Sequence, residues 1–166
     1  MNIVLVGFMG AGKTTVGRIL AARLGYRFLD TDLRIEREQG RKVEEIFATL
    51  GQEYFRRLET DLLKRLTAVQ NTVVATGGGI LTTSENANLI RKIGTSVYLE
   101  VRVEKLFERA TRTDKRPLLK TENPYETMME LFQKRKELYE TADIRIKTEN
   151  WDRHPMFVAK EIINNL

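Results

Sequence analysis

Short unbroken apolar runs alternate along this chain with stretches in which apolar residues recur every three or four positions. Ile3 to Val6 and Val73 to Ala75 are wholly apolar, as parallel strands covered on both faces must be. Phe28-Leu29, Val97 to Leu99 and Ile144 to Ile146 read as three further strands. After the first strand, Val16, Ile19, Leu20 and Leu24 mark one face of a helix over Thr14 to Leu24. After the second, Leu58, Leu62, Leu63 and Leu66 mark another. Pro124 opens a helix running to about Glu140 and Pro155 opens the last, because proline's fixed φ suits a first helical turn. Strands alternating with helices predict an α/β fold with a parallel sheet and right-handed crossovers.

At 166 residues the chain has room for one domain, 1–166, and 42% hydrophobic against 31% charged residues is the balance of a globular protein. With no Cys, disulfides, thiolate chemistry and Cys-based zinc sites are excluded. The chain opens directly on a strand, with no basic leader and no apolar run of membrane-spanning length, so a cytoplasmic protein without a membrane partner is expected. The formal charge of +5 suits either nucleic acid or small anionic ligands. Its basic residues are interspersed with acidic ones, as in Glu36-Arg37-Glu38, and no Lys/Arg block carries interleaved aromatics. The expectation is therefore small anions, no nucleic-acid partner, and a monomer.

Gly7-Phe8-Met9-Gly10-Ala11-Gly12-Lys13-Thr14 fits the phosphate-binding loop G-x-x-x-x-G-K-[ST], and it stands between a buried strand and a helix, as that loop requires. The glycines let consecutive N–H groups turn toward phosphate oxygens, and the following helix adds the positive end of its dipole. Gly10, Ala11, Gly12, Lys13, Thr14 and Thr15 are the candidate ATP contacts. Lys13 would reach the β- and γ-phosphates and the Thr14 hydroxyl would ligate Mg²⁺. No Asp-x-x-Gly or Asn-Lys pair is present, so a GTPase is not indicated.

Two further patterns fall at the carboxyl ends of strands, where open parallel sheets bind ligands, and a third lies on a helix. Asp30-Thr31-Asp32 can serve Mg²⁺ or a substrate hydroxyl, or can simply cap a helix. Gly77-Gly78-Gly79 suits a ligand brought close to backbone, or a tight turn. Arg56 and Arg57 can fork a carboxylate, or pair on a helix surface with Glu59 or Asp61. The segment Thr111 to Asn123 carries a charged run that ends in Arg116-Pro117, the composition of a lid or of a solvated connector. His154, Trp151 and the Met128-Met129 pair read as incidental or as packing.

Taken in order, Gly7-x-x-Gly10-x-Gly12-Lys13-Thr14-Thr15, Asp30-x-Asp32, Phe55-Arg56-x-x-Glu59, Gly77-Gly78-Gly79, Arg116-Pro117-Leu118-Leu119 and Arg135-x-x-x-Tyr139 resemble the shikimate kinase family across the whole chain. The resemblance implies a strand order of 2-3-1-4-5, a fold like that of nucleoside monophosphate kinases, a mobile lid at about 111–123 and a substrate-binding helical segment at about 32–62. It implies transfer of the ATP γ-phosphoryl group to the 3-hydroxyl of shikimate on the route to chorismate, with Mg²⁺ as cofactor. Lys13, Asp32 and Arg116 would be catalytic. Asp32, Arg56, Gly77, Gly78, Gly79 and Arg135 would hold shikimate, with Glu59 bracing Arg56 and Asp30 supporting the site from behind. Arg116 would reach the phosphates, Arg112 and Arg153 would lie near the adenine with Pro155, and Mg²⁺ would be held by Thr14 and, through water, by Asp32. The stretch from Arg112 to Arg116 is slightly shorter than the family pattern, and Glu137 stands where proline is common.

Two other readings stay open on the residues alone: a related small kinase for gluconate or a nucleotide, and a nucleotide-dependent regulator or nucleic-acid binder. The loop assignment generates one test. Lys13→Met should lower phosphoryl transfer at least about 10²-fold with an unchanged melting temperature, because the charge serves the transferring group and not the core. Retention of a tenth of wild-type turnover would remove Lys13 from the catalytic set.

Overall fold

The computed structural model describes residues 1–112, 121–148 and 154–166. Five parallel strands form one sheet: β1 (Ile3–Val6), β2 (Arg27–Asp30), β3 (Thr72–Ala75), β4 (Thr95–Glu100) and β5 (Ile144–Lys147), in the spatial order β2-β3-β1-β4-β5. The central strands β1 and β3 are buried at every residue, which is why both are apolar apart from Thr72. Edge strand β5 buries only Ile146 well and carries Arg145 and Lys147 outward.

Among the described residues, eight α-helices connect and cover the sheet: α1 (Lys13–Leu24), α2 (Thr31–Gln39), α3 (Val43–Leu50), α4 (Gln52–Leu66), α5 (Asn86–Ile93), α6 (Val103–Thr111), α7 (Pro124–Tyr139) and α8 (Pro155–Asn164). From β1 the chain steps outward to β2, then back past β1 to β4 and β5. Right-handed crossovers therefore put α1 and the returning α8 on one face, where they pack together, and the remaining helices on the other. The reversal lies between β1 and β3, so the loops leaving those two strands part there and open a crevice. The strands and the four helices read from periodicity are present. Four helices escape that reading: α2, α3, α5 and α6. The helical segment at 32–62 falls within α2, α3 and α4.

Local chemistry explains these boundaries. The Asp30 carboxylate accepts from the Leu33 N–H at 3.1 Å, so the cap reading of that pattern holds for the start of α2. Lys42 at the N-cap of α3 offers no side-chain bond, and Glu36 of α2 supplies it instead, accepting from the Val43 N–H at 2.8 Å. Helix α4 buries Phe55, Glu59, Leu62, Leu63 and Leu66, a helical stripe with one carboxylate inside it, while Leu58 is only half-buried. His154 caps α8, its Nδ1 accepting from the Met156 N–H at 3.1 Å. Among the described residues no helix is long and apolar enough to cross a membrane.

One polar side chain ties the lower end of the sheet. Asn2 is 3% exposed; its Nδ2 donates to the carbonyls of Val69 (2.7 Å) and Ile93 (3.0 Å), and its Oδ1 accepts from the Thr72 N–H (3.0 Å). Asn2→Ala leaves three backbone groups short of a partner and should cost about 2–4 kcal/mol, read from urea unfolding midpoints at an unchanged m-value. A loss below about 1 kcal/mol would mean that water replaces the amide without penalty.

Candidate active site

Two loops and three helices, α2, α4 and α7, deliver polar groups to the crevice. After β1 the phosphate-binding loop turns into α1 through Gly12 at φ 92°. Lys13 is buried, and its Nζ donates to the carbonyls of Gly7 (2.6 Å) and Phe8 (2.8 Å), which holds the ammonium in the mouth of the loop. The Thr14 hydroxyl donates to Asp30 Oδ2 at 2.6 Å. Asp30 thereby joins the loop to the cap of α2, and α2 carries Asp32 in its first turn. The start of α2 is pinned again by Thr31, fully buried, whose hydroxyl accepts the Gly77 N–H at 3.0 Å.

The three glycines after β3 are there for closeness. A Cβ on Gly77 would lie 2.6 Å from Asp32 Oδ1 and 3.1 Å from Glu59 Oε2. A Cβ on Gly79 would stand in the Arg56 guanidinium, 2.7 Å from Cζ. Gly78 faces Met9 N and Arg135 Nη1. Any side chain at 77 or 79 would drive these groups apart. From α4, Arg56 donates to Glu59 Oε1 at 2.6 Å and rests against the rings of Phe47 and Phe55. From α7 come Arg135, 6% exposed, and Tyr139, whose hydroxyl donates to the Gly78 carbonyl.

Burial dominates the electrostatics. Loss of solvent, reinforced by the Asp30 charge and only partly countered by Lys13, pushes the Asp32 carboxyl up to about 6. The fully buried Glu59 is pushed to about 7 by desolvation, against the pull of Arg56 and Arg135. Burial likewise lowers Arg135, helped by repulsion from Arg56. Asp32 Oδ1, Glu59 Oε2, Arg56 Nε and Arg135 Nε are all out of solvent and without a hydrogen-bond partner. One carboxylate thus feels two guanidiniums, Arg56 through a hydrogen bond and Arg135 through charge alone, and donors and acceptors stand open around the glycines. The pocket suits a ligand with a carboxylate at one end and hydroxyls at the other, placed beside a phosphate-binding loop.

A model of the shikimate kinase family matches residues 9–166. The chain belongs to the shikimate kinase family. A shikimate kinase of Persephonella marina is 46% identical over 165 residues, spanning 99% of this chain and 98% of that protein. The solved shikimate kinase from Acinetobacter baumannii in complex with shikimate matches with a TM-score of 0.93 at 42% identity, covering 99% of this chain and 91% of that one. The shikimate kinase from Aquifex aeolicus matches with a TM-score of 0.86 at 37% identity over 99% and 95%.

Within this shikimate kinase family chain, the structure brings together Lys13, Asp32, Arg56, Glu59, Gly77 to Gly79 and Arg135. Arg112 is exposed and pairs with Glu108 at 3.0 Å. Arg109, one turn earlier on α6 and not singled out from the sequence, donates to the Gly10 carbonyl at 2.8 Å, and burial lowers its pKa. The carboxylate on Thr14 is Asp30, while Asp32 turns to the glycines. Arg57 is exposed against Tyr54. Arg116, Arg153, Trp151 and the central part of the lid segment 111–123 lie outside the described residues. Arg109 carried no distinguishing signal, since the choice between Arg109 and Arg112 depends on how α6 is rotated; Tyr139 stood in the Arg135-x-x-x-Tyr139 pattern, but its hydroxyl's partner was not legible there.

The raised Asp32 carboxyl gives a stability test. Ionisation is harder in the folded protein than in the unfolded chain, so this site destabilises the fold as pH rises from the ordinary Asp range through about 6. Asp32→Asn removes that cost. The ligand-free variant should melt several degrees above wild type at about pH 8 and level with it at about pH 4, while losing phosphoryl transfer. A melting gain equal at both values would show that the asparagine acts by packing and not by charge.

Proposed function

We propose that this chain phosphorylates the 3-hydroxyl of shikimate with ATP, giving shikimate 3-phosphate and ADP. The observation that carries the reading is the pair of half-buried Arg56, held by Glu59, and buried Arg135, gathered with Asp32 around three glycines beside the phosphate-binding loop. The carboxylate of shikimate sits between the two guanidiniums and takes up their open N–H groups. The ring hydroxyls meet Asp32 and the amides of Gly78 and Gly79. Asp32 orients the 3-hydroxyl and accepts its proton, which a carboxyl titrating near neutrality does readily. The oxygen of that hydroxyl forms the new bond to the γ-phosphorus, and the bond from γ-phosphorus to the β–γ bridging oxygen breaks, with the charge leaving on ADP.

Loop amides and Lys13 hold the phosphates. In the ligand-free loop Lys13 is engaged by two carbonyls, so its ammonium is already at the mouth when nucleotide arrives. The Thr14 hydroxyl bonded to Asp30 offers hard oxygen donors suited to Mg²⁺, with Asp30 and Asp32 able to act through its waters. The ion, when bound with ATP, neutralises phosphate charge. We place Arg109, not Arg112, beside the nucleotide, since it already touches the loop. The segment 111–123 acts as the lid and brings Arg116 to the phosphates, with Arg153 and Pro155 on the adenine side.

The test offers purified protein and Mg-ATP a panel of shikimate, gluconate and nucleoside monophosphates. Shikimate alone should support steady ADP release. Arg135→Ala should then raise the shikimate KM roughly 30- to 1000-fold, the expectation for losing a charge-assisted contact, with little change in the ATP KM. Turnover of gluconate or a nucleotide in place of shikimate, or a rise confined to the ATP KM, would overturn the assignment.

A further inference from the structure

One buried hydroxyl touches both halves of the acid-binding pocket and is used by no step above. Tyr139 ends α7, four residues after Arg135, so the two side chains rise from one face of the helix. Its ring is 1% exposed and packs on Tyr98, with centroids 5.4 Å apart. The hydroxyl donates to the Gly78 carbonyl at 2.5 Å. The Arg135 guanidinium stands beside Gly78 as well; burial raises the hydroxyl's pKa, and the guanidinium's charge pulls against that rise. Since arginine offers only donors, the hydroxyl oxygen can face it only as an acceptor. A single oxygen thus lies beside the arginine and gives its own hydrogen bond to the glycine loop.

The effect on the loop follows from peptide geometry. Every peptide bond among the described residues is trans, so the Gly79 N–H points opposite to the Gly78 carbonyl. A peptide between two glycines has no Cβ on either side to oppose a flip. With its carbonyl fixed on Tyr139, this peptide aims the Gly79 amide away from α7. The same hydroxyl limits where Arg135 can place its N–H groups, beside the α-carbon of Gly78.

We propose that Tyr139 is a positioning residue for substrate-acid recognition, its hydroxyl holding the Arg135 guanidinium and the Gly78–Gly79 peptide in the mutual arrangement that binds a carboxylate-bearing polyol. The role rests on the shikimate kinase reading. It acts through two neighbours and touches neither the substrate nor the reacting atoms.

Tyr139→Phe keeps the ring and its contact with Tyr98 and removes one oxygen. The shikimate KM should rise about 5- to 50-fold, while the ATP KM moves less than about twofold and kcat less than about threefold. In an Arg135→Ala background the same change should raise the shikimate KM by a clearly smaller factor, because one of the two partners is already gone. A tyrosine that only supports the fold would lower the melting temperature and move both KM values together. An unchanged shikimate KM, a parallel rise for ATP, or full additivity with Arg135→Ala overturns the role of Tyr139. Failure of the wild-type protein to phosphorylate shikimate overturns the kinase reading itself, so the two failures are told apart.

Discussion

Burial of charge ahead of the ligand is the constraint on which this structure turns. Asp32 and Glu59 lose their water, and Arg56 and Arg135 lose most of theirs, yet each keeps one polar atom with no partner. An orphaned buried polar group costs about 1–3 kcal/mol, so several in one cleft are a standing debt against the fold. A ligand that offers a carboxylate to the arginines and hydroxyls to the carboxylates removes that cost on binding. Because the groups are already aimed, little reorganisation is needed when it arrives.

Holding such groups together requires rigid supports and missing side chains. Phe47 and Phe55, in contact with each other, back the Arg56 guanidinium from one side, and Glu59 bonds its edge, which restricts that cation's orientation. Glycines at 77 and 79 let α2 and α4 approach the loop after β3 to distances that no Cβ would permit. Behind the loop, the fully buried Asn86 accepts from Thr60 of α4 and donates to the Ile80 carbonyl, tying the glycine turn to two helices. The site is therefore made of backbone as much as of side chains, which is common where binding geometry must be exact to fractions of an ångström.

The nucleotide and acid halves are linked through short covalent and hydrogen-bonded steps. Asp30 bonds Thr14 of the phosphate loop with one oxygen and caps α2 with the other, and α2 presents Asp32 to the acid pocket. Phe8, inside the loop, meets Phe132 of α7 edge-on at 5.6 Å, and α7 also carries Arg135 and Tyr139. A shift of the loop is thus felt by both carboxylate-bearing and arginine-bearing elements. These contacts give the domain a physical route by which phosphate binding and acid binding can sense each other.

By itself the sequence determined the parallel sheet, the phosphate loop and the family. An unbroken apolar strand, a glycine-rich turn and a helix start are local matters, decided by residues a few positions apart. Four helices went unread: α2 is mostly polar and α3 is stabilised at its start by Glu36 from another helix, whereas α6 does carry a helical stripe at Val103, Leu106, Phe107 and Ala110. Glu59 looked like one half of a surface pair, and only the packing of α4 showed it buried within an apolar stripe. Tertiary structure also decided that Arg109 and not Arg112 meets the loop, and that Asp30 serves Thr14 while Asp32 faces the glycines. Those choices depend on helix rotation and on which loops the strand order brings together. Neither is written in the spacing of any one segment, since both arise from contacts between residues far apart in the chain.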